Sequence, residues 1–342
     1  MSTFGKTAVL VTGGAGFLGA HVVRSLLEMS PLGESDIVVL DDLSGGFVEN
    51  LPEDDRLIFK QGSVTDHHFV AALFDDYKFD YIYHLAAYAA EGLSHFIRRF
   101  NYTNNVIGSI NLINESVRHD VRHFVFTSSI AVYGSAQVPM SETTLPRPED
   151  PYGIAKFAVE LDLNAAAQMF GLTHTIFRPH NVYGEFQNIG DRYRNVVGIF
   201  MNRIMQNQPL PIFGSGDQKR AFTYVADVSN LIASAPFVTQ AANEVFNVGA
   251  ETPWTVNDLA TEVSRAFDIE PKVDHQPARH EVEFAWADHS KSREVFGDLP
   301  ETTLAEGIRR TAEWAKQVGP RSSAAFDNIE VQRQLPPGWR ST

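Results

Sequence analysis

The stretch Thr7-Ala-Val-Leu-Val-Thr-Gly-Gly-Ala-Gly-Phe-Leu-Gly19 decides the fold. Thr7–Thr12 is a short, apolar and β-branched run with strand character. It stops at Gly13-Gly14-Ala15-Gly16, and a helical pattern follows through Leu27. Gly13, Gly16 and Gly19 permit a tight turn and a close approach of backbone to a ligand, and the open amides at the start of the helix attract negative charge. By itself a glycine triplet is only a strand-to-helix turn. Its surroundings add meaning: the next apolar run, Asp36–Leu40, ends at Asp41-Asp42, and Asp41 lies 22 residues past Gly19 (41 − 19). A carboxylate there accepts the ribose 2′-hydroxyl of a dinucleotide and repels a 2′-phosphate, so the expected ligand is NAD rather than NADP.

Further apolar runs at Leu57–Phe59, Tyr81–Leu85, Phe124–Thr127 and Thr175–Phe177 are separated by helix-like stretches. Strands alternating with helices at this spacing predict an α/β fold of Rossmann type, a doubly wound parallel sheet covered on both faces. This domain is expected over residues 1–183, with later strands returning at about 221–250. From Gly184 the rhythm changes to loop-rich segments (Phe186–Asn195, Gln208–Arg220) and two amphipathic stretches, Val256–Phe267 and Leu304–Gln317. These predict a smaller α/β substrate-binding lobe over 184–318 at the C-terminal end. The tail, 319–342, with Pro, Ser and Gly punctuation, reads as a wrap or a partly disordered segment.

Composition narrows the function. The chain has 342 residues, 44% of them hydrophobic, enough for a large core. A net charge of −14 argues against a surface built for nucleic acid or anionic lipid, so phosphate must be met locally by backbone amides and a few arginines. Without cysteine there is no disulfide, thiolate metal site or cysteine nucleophile, and a cytoplasmic location is expected. The twelve histidines show no metal-ligand spacing, and the adjacent His67 and His68 are expected to point to different sides. No signal peptide and no apolar run of membrane-spanning length is read.

Tyr152-Gly-Ile-Ala-Lys156 places a phenol and an ammonium four residues apart, on one face of a helix starting near Pro151. A cation near a phenol favours the phenolate, the form that can act as a base. Tyr/Lys pairs at this spacing are common on helix surfaces. This one is the only YxxxK among ten tyrosines, and it follows a strand ending in Phe126-Thr-Ser-Ser129, where the carboxyl ends of parallel strands line a ligand crevice. Ser129 can then hydrogen-bond both a reacting hydroxyl and the phenol; alternatively the serines only cap the strand end.

With TGGAGFLG, LDDLSGG, YHLAA, NNVIGS, FTSSIAVYG, PYGIAK, FRPHNVYG, IFG and RAFTYVADV in this order, the chain resembles, over roughly Thr7–Glu313, the extended short-chain dehydrogenase/reductases. Within them it is similar to the NAD-dependent epimerase/dehydratase family, the group of UDP-galactose 4-epimerase. The resemblance implies Ser129, Tyr152 and Lys156 as catalytic residues. It implies NAD contacts from Gly13, Gly16, Phe17, Leu18, Gly19, Asp41, Asp42, Ser63, Val64, Leu85, Ala86, Ala87, Asn104, Tyr152, Lys156 and Pro179. Ser63 stands where many relatives carry an adenine-binding Asp.

For a nucleotide-diphosphate sugar the resemblance implies Asn181 and Asn195 near the diphosphate, Phe213 at the base, Arg220 and Arg279 on the phosphates, and Glu91 and Ser129 at the sugar. Arginine suits the phosphates because its fork binds their oxygens in pairs; a surface ion pair is the alternative role. Dehydratases of the group carry Asp-Glu before VYG and decarboxylases a Glu, whereas this chain has Ile130-Ala131. The activity expected is therefore epimerisation of a nucleotide-activated hexose, at C4, through a transient ketone. The rivals are a dehydratase, a decarboxylase, a sulfosugar synthase (suggested by Arg279-His-Glu-Val) or a catalytically silent NAD-binding regulator. Glu91 either faces the sugar or pairs with Arg98 or Arg99. The family implies a homodimer through Asn101–Arg118 and Tyr152–Phe170.

Overall fold

The structure, a computed structural model, describes residues 8–279, 282–298, 301–322 and 326–339; Thr7, His280 and Glu281 lie outside them. Seven strands form the central sheet: β1 (Ala8–Thr12), β2 (Asp36–Asp41), β3 (Leu57–Gln61), β4 (Phe79–His84), β5 (His123–Thr127), β6 (His174–Pro179) and β7 (Glu244–Val248). Their order is β7-β6-β5-β4-β1-β2-β3, and every pairing is parallel. The order reverses between β1 and β4, and at such a switch point the carboxyl ends of the strands open a crevice.

Near-continuous apolar runs produce this sheet because both faces are buried. Leu10, Val38, Ile82 and Phe124 face one layer of helices. Their neighbours Val9, Val11, Val39 and Val125 face the other. β4 begins two residues earlier than the sequence pattern predicts, because Phe79 is buried and packs edge-on to Phe74, ring centroids 5.1 Å apart. At its other end Leu85 still donates its amide to Thr12 O at 3.1 Å.

The second lobe has its own core of Phe200, Met201, Leu259, Val263, Ile308 and Ala312, from the helices Val196–Met205, Val256–Ala266 and Leu304–Val318. The Val256 helix starts on a full capping box, Thr255 with Asp258. Short strand pairs support it: Leu210–Phe213 with Val273–Gln276, and Lys219–Ala221 between Pro253–Thr255 and Phe284–Ala285.

Of the tail, residues 319–322 and 326–339 are described. Over 326–339 it is a wrap, with Phe326, Ile329, Leu335 and Trp339 packed on Ala90, Leu93 and Ile97. His67 and His68 depart from expectation: their ring centroids lie 3.9 Å apart in the first turn of the helix His67–Asp76. No described helix is long and apolar enough to cross a membrane. Among the described residues no three His, Asp or Glu side chains gather to hold a metal ion.

Candidate active site

Two adjoining cavities open at the switch point. The smaller, about 220 Å³, lies over the glycine turn and is lined by Gly13, Gly16, Phe17, Leu18, Gly19, Asp41, Asp42, Val64, Leu85, Ala86, Ala87 and Asn104. Gly13 has φ +70°, and a Cβ there would sit 2.7 Å from the backbone of Ala86; one on Gly19 would sit 2.1 Å from Gly13 O. Only glycine lets the turn nest against β4 and leave its amides open to a phosphate. Asp41 is oriented by two amides, Ala15 N to Oδ2 at 3.0 Å and Leu43 N to Oδ1 at 2.9 Å. Burial pushes its pKa up, and the amide hydrogen bonds oppose that. A glycine cradle that any Cβ would fill, with a fixed carboxylate at the end of β2, fits a dinucleotide.

Ser63 is the exception. Its hydroxyl lies 2.9 Å from Thr65 Oγ1 and accepts from Thr65 N, and Gly62 and Val64 line the cavity in its place. Sequence reasoning missed Ser44, Gly45, Gly46 and Arg194 at this cavity. The glycine pair was visible in the quoted LDDLSGG. Arg194, next to the named Asn195, reaches across from the 186–195 loop, held by Asp191 at 2.5 Å, with its guanidinium 4.5 Å from the Tyr88 ring centroid.

The larger cavity, about 830 Å³, contains Ser129, Tyr152, Lys156 and Pro179 at one end. Asp150 caps the helix Pro151–Phe170 by accepting from Gly153 N at 2.9 Å, with Pro151 in the first turn, so Tyr152 is fixed at the very start of the helix. One turn on, Lys156 Nζ donates to Thr127 O at 2.8 Å and stands 5.9 Å from the Tyr152 ring centroid. Burial drives Lys156 down to about 7. Burial also raises the Tyr152 phenol well above its ordinary value; Ser129 counters this by hydrogen bonding, while the charges of Asp150 and Glu91 reinforce it. Desolvation opposes the phenolate, and Lys156 Nζ is directed at the Thr127 carbonyl.

A buried polar chain stands behind this end. Ser128 Oγ donates to Glu160 at 2.5 Å, and Arg178 Nε and Nη2 bind the same carboxylate at 2.9 and 2.5 Å. Arg178 Nη1 reaches the Tyr133 hydroxyl at 2.7 Å, and that hydroxyl donates to Asn247 at 2.8 Å. These bonds couple β5, β6, β7 and the Tyr152 helix, and a buried pair so fully bonded fixes relative position. His180 also lines the cavity and was not anticipated: it meets His289 at 2.9 Å, and His289 meets Glu251 at 3.1 Å.

The other candidate substrate residues, Glu91, Asn181, Asn195, Phe213, Arg220 and Arg279, all line this larger cavity. Asn181 Nδ2 donates to Ala221 O at 3.3 Å. Arg220 is tied to backbone: Nη1 donates to Lys219 O and Glu283 O at 2.9 and 2.8 Å, and Nη2 to Val282 O. The Arg279 guanidinium covers the Phe213 ring at 4.4 Å. Arg99, the alternative partner of Glu91, lies 4.0 Å from Glu330.

Similarity to known proteins agrees with this arrangement. The UDP-glucose 4-epimerase of Mycolicibacterium smegmatis is 33% identical over 312 residues, 89% of this chain and 97% of that protein. The dTDP-D-glucose 4,6-dehydratase of Mus musculus is 32% identical over 322 residues, 90% of this chain and 88% of that protein. A crystal structure of the Thermotoga maritima UDP-glucose 4-epimerase with UDP-glucose superposes with a TM-score of 0.82 at 34% identity, covering 91% of this chain and 99% of that one. Since the model of the NAD dependent epimerase/dehydratase family also matches residues 9–249, the chain belongs to that family.

Proposed function

We propose that this enzyme epimerises a nucleotide-diphosphate hexose at C4, with Tyr152 as the acid and base. The observation that carries the reading is that Ser129, Tyr152 and Lys156 line the larger cavity, which shares Phe17, Leu18, Leu85 and Ala87 with the cavity over the glycine turn, with the apolar Ile130-Ala131 turn next in sequence to Ser129. NAD, bound over the glycine turn, supplies the acceptor and later the donor of one hydride. Tyr152 takes the proton from the sugar hydroxyl and returns it after the ketone has turned over. Ser129 holds that hydroxyl and the phenol in one line, and Lys156 holds the nicotinamide ribose and feeds positive charge toward the phenol. Arg220 and Arg279 hold the diphosphate, Asn181 and Asn195 flank it, and Phe213 carries the base.

Epimerisation is favoured over dehydration because expelling water needs an acid and a base where this chain has Ile130, which is buried, and Ala131. Five exposed apolar side chains, Ile107, Ile154, Leu161, Met169 and Phe170, lie on the two helical segments of the expected dimer face, which supports a homodimer. The absence of cysteine supports work in the cytosol. Isotope tracing tests the reading: a nucleotide hexose deuterated at C4 should give an epimer that keeps its deuterium at C4. Loss of the label to water would refute it.

A further inference from the structure

The larger cavity is closed on one side by a segment far beyond residue 249, where the family match ends. Residues 326–339 cross from one lobe to the other. Glu330 fastens the segment to the Rossmann side, its carboxylate accepting from Arg99 N at 2.7 Å and Phe100 N at 2.9 Å, while Glu330 N and Val331 N both donate to Phe96 O. At the far end Gly338 O accepts from Arg192 at 3.0 Å, and Trp339 is 5% exposed. Its indole meets Tyr193 and Phe213 edge-on, at centroid distances of 5.4 and 6.3 Å, and lies 5.8 Å from the Arg279 guanidinium. A Cβ on Gly92, beside Glu91, would come within 3.3 Å of it. Trp339 therefore touches the sugar-side loop and the Phe213–Arg279 pair at once, and it lines the cavity that also holds Tyr152.

We propose that Trp339 is a substrate-binding residue: the C-terminal strap forms the roof of the pocket, and Trp339 with Phe213 and Tyr193 makes an aromatic wall for the nucleotide portion of the substrate. The inference rests on the nucleotide-sugar reading above. Aromatic rings beside arginines match a planar base joined to a diphosphate, since rings stack on the base and guanidinium forks take the phosphate oxygens. Stacking of a base on an aromatic side chain changes affinity by about five- to hundred-fold when the ring is removed.

The test uses the NAD-loaded, full-length protein and calorimetric titration with UDP, dTDP, GDP and CDP. The parent should bind at least one of them, and Trp339→Ala should bind it at least about ten-fold more weakly with unchanged NAD content. Equal affinity in parent and variant would overturn the inference and leave the nucleotide-sugar reading standing. Failure of the parent to bind any of the four would overturn both. Should Trp339→Ala lose NAD, the conservative Trp339→Phe decides. Of the four tryptophans only Trp339 lines the cavity, among the described residues, so nucleotide should change the parent's tryptophan fluorescence and leave that of the Phe variant unchanged. The same change in both would overturn the inference.

Discussion

Replacing Lys156 by methionine should make the cofactor-free protein more stable at neutral pH while removing most turnover. The side chain is 2% exposed, and burial lowers its pKa from 10.5 to about 7. Because the folded value lies below the unfolded one, the unfolded chain binds more protons between about pH 7 and pH 10.5, and stability rises with pH across that window. Below the window both states are protonated and the burial cost is present in full. From pH 7 to pH 9 this one group adds about 2 kcal/mol to the parent's stability, at about 1.4 kcal/mol per pH unit once the folded group is neutral. Lys156→Met keeps the apolar stem and lacks the titration. Attraction to Glu160 and the bond to Thr127 O reduce its advantage without changing the pH trend. In urea unfolding at pH 7, 8 and 9, the margin of the variant over the parent should shrink by about 2 kcal/mol from the first to the last. Parallel stability curves for the two proteins would refute the claim that Lys156 is held as a costly buried cation.

Tyr152→Phe should keep fold and NAD content and lose about 10²–10⁴-fold in kcat; near-parent turnover would move the acid–base role elsewhere, with Glu91 first in line. Asp41→Asn should erode the preference for NAD over NADP, measured by titration of cofactor-free protein, because the charge that repels a 2′-phosphate is gone. An unchanged preference would show that another group selects the cofactor. Glu91 lies close enough to Tyr152 to raise its phenol. The parent should therefore prefer neutral or amino sugars to a uronate, and Glu91→Gln should narrow the gap in kcat/KM. A parent that prefers the uronate would refute the charge argument.

The parts of the fold carried by local pattern were readable from the chain. The Thr7–Gly19 stretch reports both a strand buried on two faces and the turn that follows, and Asp41 ends the next strand by the same logic. Boundaries set by packing were not: β4 starts at Phe79, whose ring is buried in the core edge-on to Phe74. Arg194 and Trp339 reach the cavities from a long loop and the tail, whereas His180 sits inside the quoted FRPHNVYG between Pro179 and Asn181 and was passed over because its partner His289 is far along the chain. Ser63 was assigned by position in a family, but its short hydroxyl finds Thr65 two residues on. For Tyr152 and Lys156 the sequence offers the pairing at one helical turn. The direction of their titration depends on a depth of burial that only the packed structure supplies.

The central claim is a redox-neutral inversion of a nucleotide sugar, and product analysis tests it most directly. Purified protein with its NAD is offered UDP-, dTDP-, GDP- and CDP-hexoses, products are followed by NMR and mass spectrometry, and NADH is monitored in the same tube. The account predicts an epimer of unchanged mass for at least one of them, with no stoichiometric NADH. A product lighter by water or carbon dioxide, or NADH released in step with product, would contradict it.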